Sequence, residues 1–395
     1  MATSGVVFSG VLMDKSLTFE QGPIRPPSEA GSLLIRVTRN CPWNRCVFCG
    51  TYKNRKFSRR SVEEVKADID SARAVFDQIR EYSWVNGQGG ELTHVVLRKI
   101  LEDSSLPDSY RSVAYWVASG GETVFLQDAN SIMLSTDSLV DILNHIRMRF
   151  PQVLRVTSYA RASSLVSKSV DDFIRLRECG LSRLHVGMES GSDKVLKMIK
   201  KGNRSDQLIE GGRRVVQSGI SLCLYVMPGI GGTELSEDHS RESARVINAI
   251  DPKYVRFRSL YIRRSSELME MESQGIFQAP GEDEMVREIR DIIARLEGVN
   301  TTIVSDHILN LLEEVNGKLP EDKSRILSLI DRYLNMPDED RILFQLGRRG
   351  GAITRLDEMD NPVIRSKLLS AKRHIESEMP GGVPEYIQVI KKRFV

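Results

Sequence analysis

Five cysteines lie in the 395 residues, and three of them fall close together in the run Cys41-Pro42-Trp43-Asn44-Arg45-Cys46-Val47-Phe48-Cys49-Gly50. A C-x4-C-x2-C loop offers three thiolates. That is enough to hold three corners of a cubane iron–sulfur cluster and to leave the fourth iron open to a small molecule. Zinc normally takes four closed ligands. No second C-x2-C completes such a set, and the nearest histidine, His94, is far along the chain. A zinc site or a chance grouping of thiols stands as the alternative. Cys179 and Cys223 fall on helix and strand positions and read as small core hydrophobes.

A thiolate loop needs a rigid base, and the surrounding pattern supplies one. Leu33 to Val37 reads as a buried strand running straight into the cysteines. Ser61 to Tyr82 has helical periodicity, with Val62, Val65, Ile69, Ala72, Val75 and Phe76 on one face and Ser61 and Glu64 spaced as a capping box. A further helix is expected around Glu91 to Glu102. Strands then alternate with helices: Thr123–Leu126, Val153–Thr157, Arg183–Val186, Ser221–Val226 and Tyr254–Leu260 are the strands. Ser138–Phe150, Val170–Cys179, Asp206–Ser218 and Ser236–Ile250 are the helices. Gly180 and Gly219 sit where helix C-termini want a left-handed residue. Strands separated by helices of this length give a parallel α/β sheet, with its chemistry at the C-terminal strand ends. The strand signal stops near residue 280, after which Glu282–Glu297, Ser324–Leu334 and Asn361–Glu378 look helical. The expected architecture is α/β, a partial six-stranded (β/α)6, TIM-like barrel. Residues 1–31 form an irregular segment, 32–265 the core, and 266–395 a helical C-terminal region.

Hydrophobic residues at 41% and charged residues at 28% allow a buried core without staples. A net charge of +3 is too small to argue for a nucleic-acid partner. The stretch Met1 to Asp14 has no basic segment ahead of an apolar one, and no apolar run approaches the roughly 20 residues of a bilayer span. A cytoplasmic location with reduced thiols and no membrane partner is expected.

The cysteine loop after the first strand of an α/β repeat resembles the radical S-adenosylmethionine (SAM) superfamily. That family's usual spacing is C-x3-C-x2-C, with an aromatic residue before the last cysteine. Phe48 matches the aromatic position, and the first gap here is one residue longer. The order of segments over about 32–265 resembles the Elongator-catalytic-subunit and coproporphyrinogen-oxidase-like branch. The whole chain further resembles a group of iron–sulfur oxidoreductases of unknown substrate, through Ser305-Asp306-His307, Asn310 and the run Gly317-Lys318-Leu319-Pro320-Glu321-Asp322-Lys323. The resemblance implies a [4Fe–4S] cluster on Cys41, Cys46 and Cys49. It implies SAM chelated at the open iron, and an electron donor such as flavodoxin or ferredoxin. Reductive cleavage of SAM would give a 5′-deoxyadenosyl radical acting on a small-molecule substrate. No other cysteine cluster is present, which argues against members that carry auxiliary clusters. An RNA-modifying enzyme of the same chemistry and a non-catalytic iron–sulfur or zinc-binding module are the other readings.

The same resemblance points to residues that meet the cofactor. The family has a Gly-Gly-Glu segment at the end of its second strand. Gly120-Gly121-Glu122 has that composition but precedes the strand Thr123–Leu126, at the wrong end. The segment at the correct end holds Gln127, Asp128 and Asn130, which can accept from an ammonium or form an ordinary Asx turn. Glu189, in Gly187-Met188-Glu189-Ser190-Gly191, resembles the residue that grips ribose or methionine. Met227 and Gly229, in Met227-Pro228-Gly229-Ile230-Gly231-Gly232, resemble the segment approached by adenine. Tyr159, Arg161, Arg256, Arg258 and His307 are candidate substrate-pocket residues. Alternation puts the last two arginines on one face, to pair with an acidic substrate or the cofactor carboxylate, or else to serve as ordinary salt-bridged arginines.

Overall fold

The computed structural model describes residues 6–8 and 11–392. Eight strands form one sheet: β1 Leu33–Arg36, β2 Thr123–Gln127, β3 Arg155–Ala160, β4 Leu181–Glu189, β5 Ser221–Val226, β6 Tyr254–Phe257, β7 Thr302–Val304 and β8 Gly317–Lys318. Strand order in the sheet follows chain order from β1 to β8. A doubly wound sheet would reverse direction partway, whereas sequential order is the signature of TIM-like winding. β1, β2 and β3 pair in parallel, as do β5, β6 and β7, and β8 runs antiparallel to β7. All six expected strands are present. The extra two contradict the expectation that strands end near residue 280. At three and two residues they are too short to show a period.

The chain divides into two compact units, residues 1–42, 54–185 and 217–220 in one and 43–53, 186–216 and 221–395 in the other.

In the first unit the helix Val62–Val85 is started by Ser61, whose hydroxyl accepts from Glu64 N–H at 3.1 Å while the Glu64 carboxylate accepts from Ser61 N–H at 2.8 Å. Such caps contribute about 1 kcal/mol. Val65, Ile69, Ala72, Val75 and Ile79 are fully buried along its inner stripe. Phe76 joins Trp116 and Phe150 in an aromatic cluster with centroids 5.2 to 6.4 Å apart. Trp116 comes from Asp108–Ala118, a helix that the periodicity did not announce. Within the segment expected to be irregular, Val6–Phe8 and Val11–Met13 pair as two antiparallel strands. Cys179 is the C-cap of the helix Val170–Glu178 and is half-buried, not a core residue as expected.

In the second unit the helix Glu282–Ala294 packs between Ser236–Ile250 and Lys323–Leu334. Glu282 at its head has a side chain only 9% exposed and is paired with Arg349 at 2.7 Å and Lys391 at 2.6 Å. Those partners come from Asp338–Arg349 and Gly382–Lys391, two helices absent from the sequence expectation. Cys223 is buried on β5, as expected. Among the described residues no helix is long and apolar enough to cross a membrane.

Candidate active site

The loop carrying Cys46 and Cys49 belongs to the second unit and is pinned there by its backbone. Val47 N–H donates to the Ile199 carbonyl at 3.1 Å, and the Val47 carbonyl accepts from Leu268 N–H at 3.0 Å. Trp43 donates its indole N–H to the Lys200 carbonyl at 2.7 Å and lies on Gly202. A Cβ at Gly202 would overlap the indole ring, and its φ of +74° is glycine territory. Cys49 N–H closes a turn onto the Cys46 carbonyl at 3.3 Å. Cys46 is buried, Cys41 and Cys49 are half-buried, and all five cysteines are free of disulfides. Among the described residues no three His, Cys, Asp or Glu side chains are grouped to hold a single metal ion. The donor set is nonetheless three thiols with the spacing of a cluster loop, so the residues present fit an iron–sulfur centre by their chemistry.

Phe48, Cys49, Met227, Arg258, Tyr261 and Arg263 line one cavity in this unit. Four residues singled out from sequence, namely Phe48, Cys49, Met227 and Arg258, are thus brought together. Glu189 stands at the C-terminal end of β4 with φ of +61°. Its carboxylate is 2.7 Å from the Lys201 ammonium, and both side chains are largely buried. Lys201 also lies 6.0 Å from the centre of the Phe48 ring. Sequence reasoning passed over Lys201, because a Lys-Lys-Gly run after a helix reads as a solvated end. The glycine that follows, Gly202, whose φ of +74° turns the chain there, is the one sequence feature beside it.

Met227 N–H donates to the Glu189 carbonyl at 2.9 Å, tying the glycine turn to the end of β4. Gly229 has φ of +88°, and a Cβ there would lie 3.1 to 3.2 Å from Met285, Leu260 and Pro280. Its smallness is therefore used by protein neighbours, which differs from the expected close approach of a ligand. Gly229 N–H donates to Glu288 at 2.5 Å. Glu288 is buried, and burial pushes its carboxyl up to about 7. His239 lies 3.9 Å from Glu288 and shares a 2.9 Å hydrogen bond with the Ser190 hydroxyl. Burial holds this imidazole down to about 4. Ser190 stood inside the Gly187–Gly191 run without a role of its own, and neither His239 nor Glu288 carried a motif.

Arg256 and Arg258 have different fates. Arg256 is paired with Asp306 at 3.0 Å and with the Tyr225 hydroxyl at 3.3 Å. Arg258 follows the end of β6, is exposed, and faces the cavity. His307 accepts from Leu309 N–H at 3.2 Å. Burial pushes its imidazole down to about 4, with the positive charges of Arg258 and Arg256 adding to the effect. Asn310 accepts from Ser259 N–H at 2.9 Å and donates to the Phe257 carbonyl at 2.8 Å, fixing the chain that presents Arg258.

In the first unit the segment after β2 is engaged by protein groups. The Gln127 amide accepts from Gly22 N–H at 2.8 Å and donates to the Gly22 and Ile24 carbonyls at 3.1 and 2.7 Å. Asp128, fully buried, is paired with Arg36 at 2.7 Å and accepts from Asn40 N–H at 3.3 Å, beside Cys41. Asn130 accepts from Arg161 N–H at 3.1 Å and donates to Ser164 at 2.8 Å. Tyr159 packs edge-on to Phe125 with centroids 5.1 Å apart. Of these side chains Asp128 alone holds the chain next to a cysteine, through Asn40 N–H. Gly120 and Gly121, with φ of +108° and +68°, form the turn before β2, at its N-terminal end as expected.

The family described as the radical SAM superfamily matches residues 35–242. Among curated proteins, a tRNA uridine(34) acetyltransferase of Methanocaldococcus infernus is 24% identical over 123 residues, which is 31% of this chain and 22% of that protein. The matched stretch thus spans about a fifth of that relative. Among solved structures, N-terminally truncated Elp3 of Methanocaldococcus infernus is 16% identical, covering 50% of this chain and 52% of that one, with a TM-score of 0.40. Methylornithine synthase (PylB) is 14% identical over 84% of this chain and 85% of that one, with a TM-score of 0.40. Coproporphyrinogen III oxidase (HemN) from Escherichia coli is 11% identical over 67% and 51%, with a TM-score of 0.41.

Proposed function

Because this chain belongs to the radical SAM superfamily, we propose that Cys41, Cys46 and Cys49 hold its [4Fe–4S] cluster and that it acts on a small-molecule substrate in the cavity beside Cys49. It is an iron–sulfur enzyme whose cofactors are a [4Fe–4S] cluster and SAM, and it needs a substrate and a reductant. When bound, those cofactors supply one-electron cleavage of the sulfonium and a 5′-deoxyadenosyl radical for hydrogen abstraction. The chain's own residues position and shield. Val47 and Trp43 anchor the loop, and Phe48 and Met227 give apolar walls that exclude water. Glu189, held in place by Lys201, is offered for ribose hydroxyls or the methionine ammonium. The observation that carries the reading is that Cys49, Phe48 and Met227 open onto one cavity. A flavodoxin or ferredoxin is proposed as the electron donor.

Anaerobic loading with iron and sulfide, reduction, and chromatography for 5′-deoxyadenosine and methionine test it. Both products are expected from the native chain and neither from Cys46→Ala. A loaded, reduced enzyme that yields neither overturns the reading. RNA modification is the second reading, favoured by the tRNA-acting relative. It requires tRNA binding that falls steeply with salt.

A further inference from the structure

The cavity beside Cys49 has a one-sided charge. Arg258 and Arg263 line it, and no carboxylate does. Among the described residues neither guanidinium has an ion-pair or hydrogen-bond partner. Arg256, one strand position before Phe257, is by contrast committed to Asp306. His307, two residues before Leu309 of the wall, adds no further positive charge, since burial first and then Arg258, Arg256 and Arg349 hold its imidazole down to about 4. The remaining wall is mixed: Phe48, Met227, Leu260, Tyr261 and Leu309 give apolar and aromatic surface, and Cys49, Thr51 and Ser259 give small polar groups. Two unpaired guanidiniums beside an aromatic and aliphatic surface are suited to an oxyanion, which they grip through paired N–H donors, with an organic body against Phe48, Met227 and Tyr261.

We propose that the substrate is a small organic oxyanion, a carboxylate or phosphate ester, whose acidic group is bound by Arg258 and Arg263. This rests on the reading of the cavity as the substrate site. Arg256 is then a positioning residue for the strand end, and not a ligand.

Calorimetric titration of the cluster-loaded enzyme with benzoate, phenyl phosphate and uncharged benzamide tests the proposal. Either oxyanion should bind at least tenfold more tightly than benzamide, and the tighter of the two identifies the acidic group. The double variant Arg258→Gln/Arg263→Gln should lose that preference by tenfold or more, while Arg264→Gln, outside the cavity wall, should keep it. Oxyanions that bind no better than benzamide, or as well to the double variant as to the native chain, overturn the proposal. So does a double variant whose affinity for SAM falls in the same proportion, because the guanidiniums would then serve the cofactor carboxylate. Failure of 5′-deoxyadenosine formation in the reduced enzyme is a separate readout and strikes the underlying reading instead.

Discussion

Lys201 meets Glu189 at 2.7 Å, and the pair covers the backbone of Gly187, where a Cβ would lie only 3.0 Å from the lysine nitrogen. Glu189, at a strand end with φ of +61°, has its carboxylate paired with a cation that comes from beyond the helix Asp193–Met198. Removing one member of a largely buried pair leaves an uncompensated charge, at a cost of about 3–5 kcal/mol. Lys201→Ala should therefore lower the free energy of unfolding by about that amount in urea, and Lys201→Arg should recover most of it. A loss under about 1 kcal/mol would mean the pair behaves as a solvated surface contact.

Gly191 follows two residues later. A Cβ there would overlap the Glu242 carbonyl and crowd Ser243, both in the backbone of the helix Ser236–Ile250. Backbone cannot swing aside as a side chain can, so Gly191→Ala should cost about 1–3 kcal/mol or more. Thermal unfolding would check it. An unchanged midpoint would show that the helix slides freely.

Iron content separates the cysteines. Cys46→Ala should fail to retain iron and sulfide after anaerobic loading and desalting, whereas Cys179→Ala and Cys223→Ala should retain both at native levels. Retention by Cys46→Ala at the native ratio would remove that residue from the ligand set.

Much of this was legible from the residues themselves. The βα repeat declared itself because each strand is an apolar run and each helix an amphipathic one, closed by glycines with positive φ such as Gly180 and Gly219. The hidden parts lacked a period or a motif. β7 and β8 are too short for alternation, and Asp108–Ala118 hid its apolar face among Tyr110, Val113 and Trp116. Gln127 and Asp128 were placed at the correct strand end, yet their partners Gly22 and Arg36 are about a hundred residues away in the chain, a pairing that spacing does not reveal. Lys201 meets Glu189 and Phe48, and Glu288 meets Gly229 and His239, through contacts distant in the chain that spacing does not announce.

The buried carboxyl of Glu288 makes stability depend on pH in a definite direction. Its folded value, raised to about 7 by burial from 4.5, means the native state holds this proton more tightly than the unfolded chain. The contribution is fully present below about pH 4.5 and is lost as pH rises through 7, a change of up to about 3 kcal/mol. His239, depressed to about 4, works in the opposite sense across 4 to 6.5. Comparing the native chain with Glu288→Gln, which keeps that histidine, isolates the glutamate. In urea unfolding, the stability of the variant relative to native should rise by about 2–3 kcal/mol between pH 5 and pH 8. Parallel pH profiles would show that the carboxyl is ionised throughout.

Glu288 reaches Gly229 from the same helix whose head, Glu282, is clasped by Arg349 and Lys391. The glycine turn beneath the cavity is therefore braced by chain more than fifty residues downstream, and that brace is anchored in turn by the final helix. A chimera that exchanged the βα repeats of two relatives at residue 265 would separate the turn from its brace. Neither parental C-terminal region would be guaranteed to fit the other's turn, so the heritable module runs from the glycine turn through Lys391.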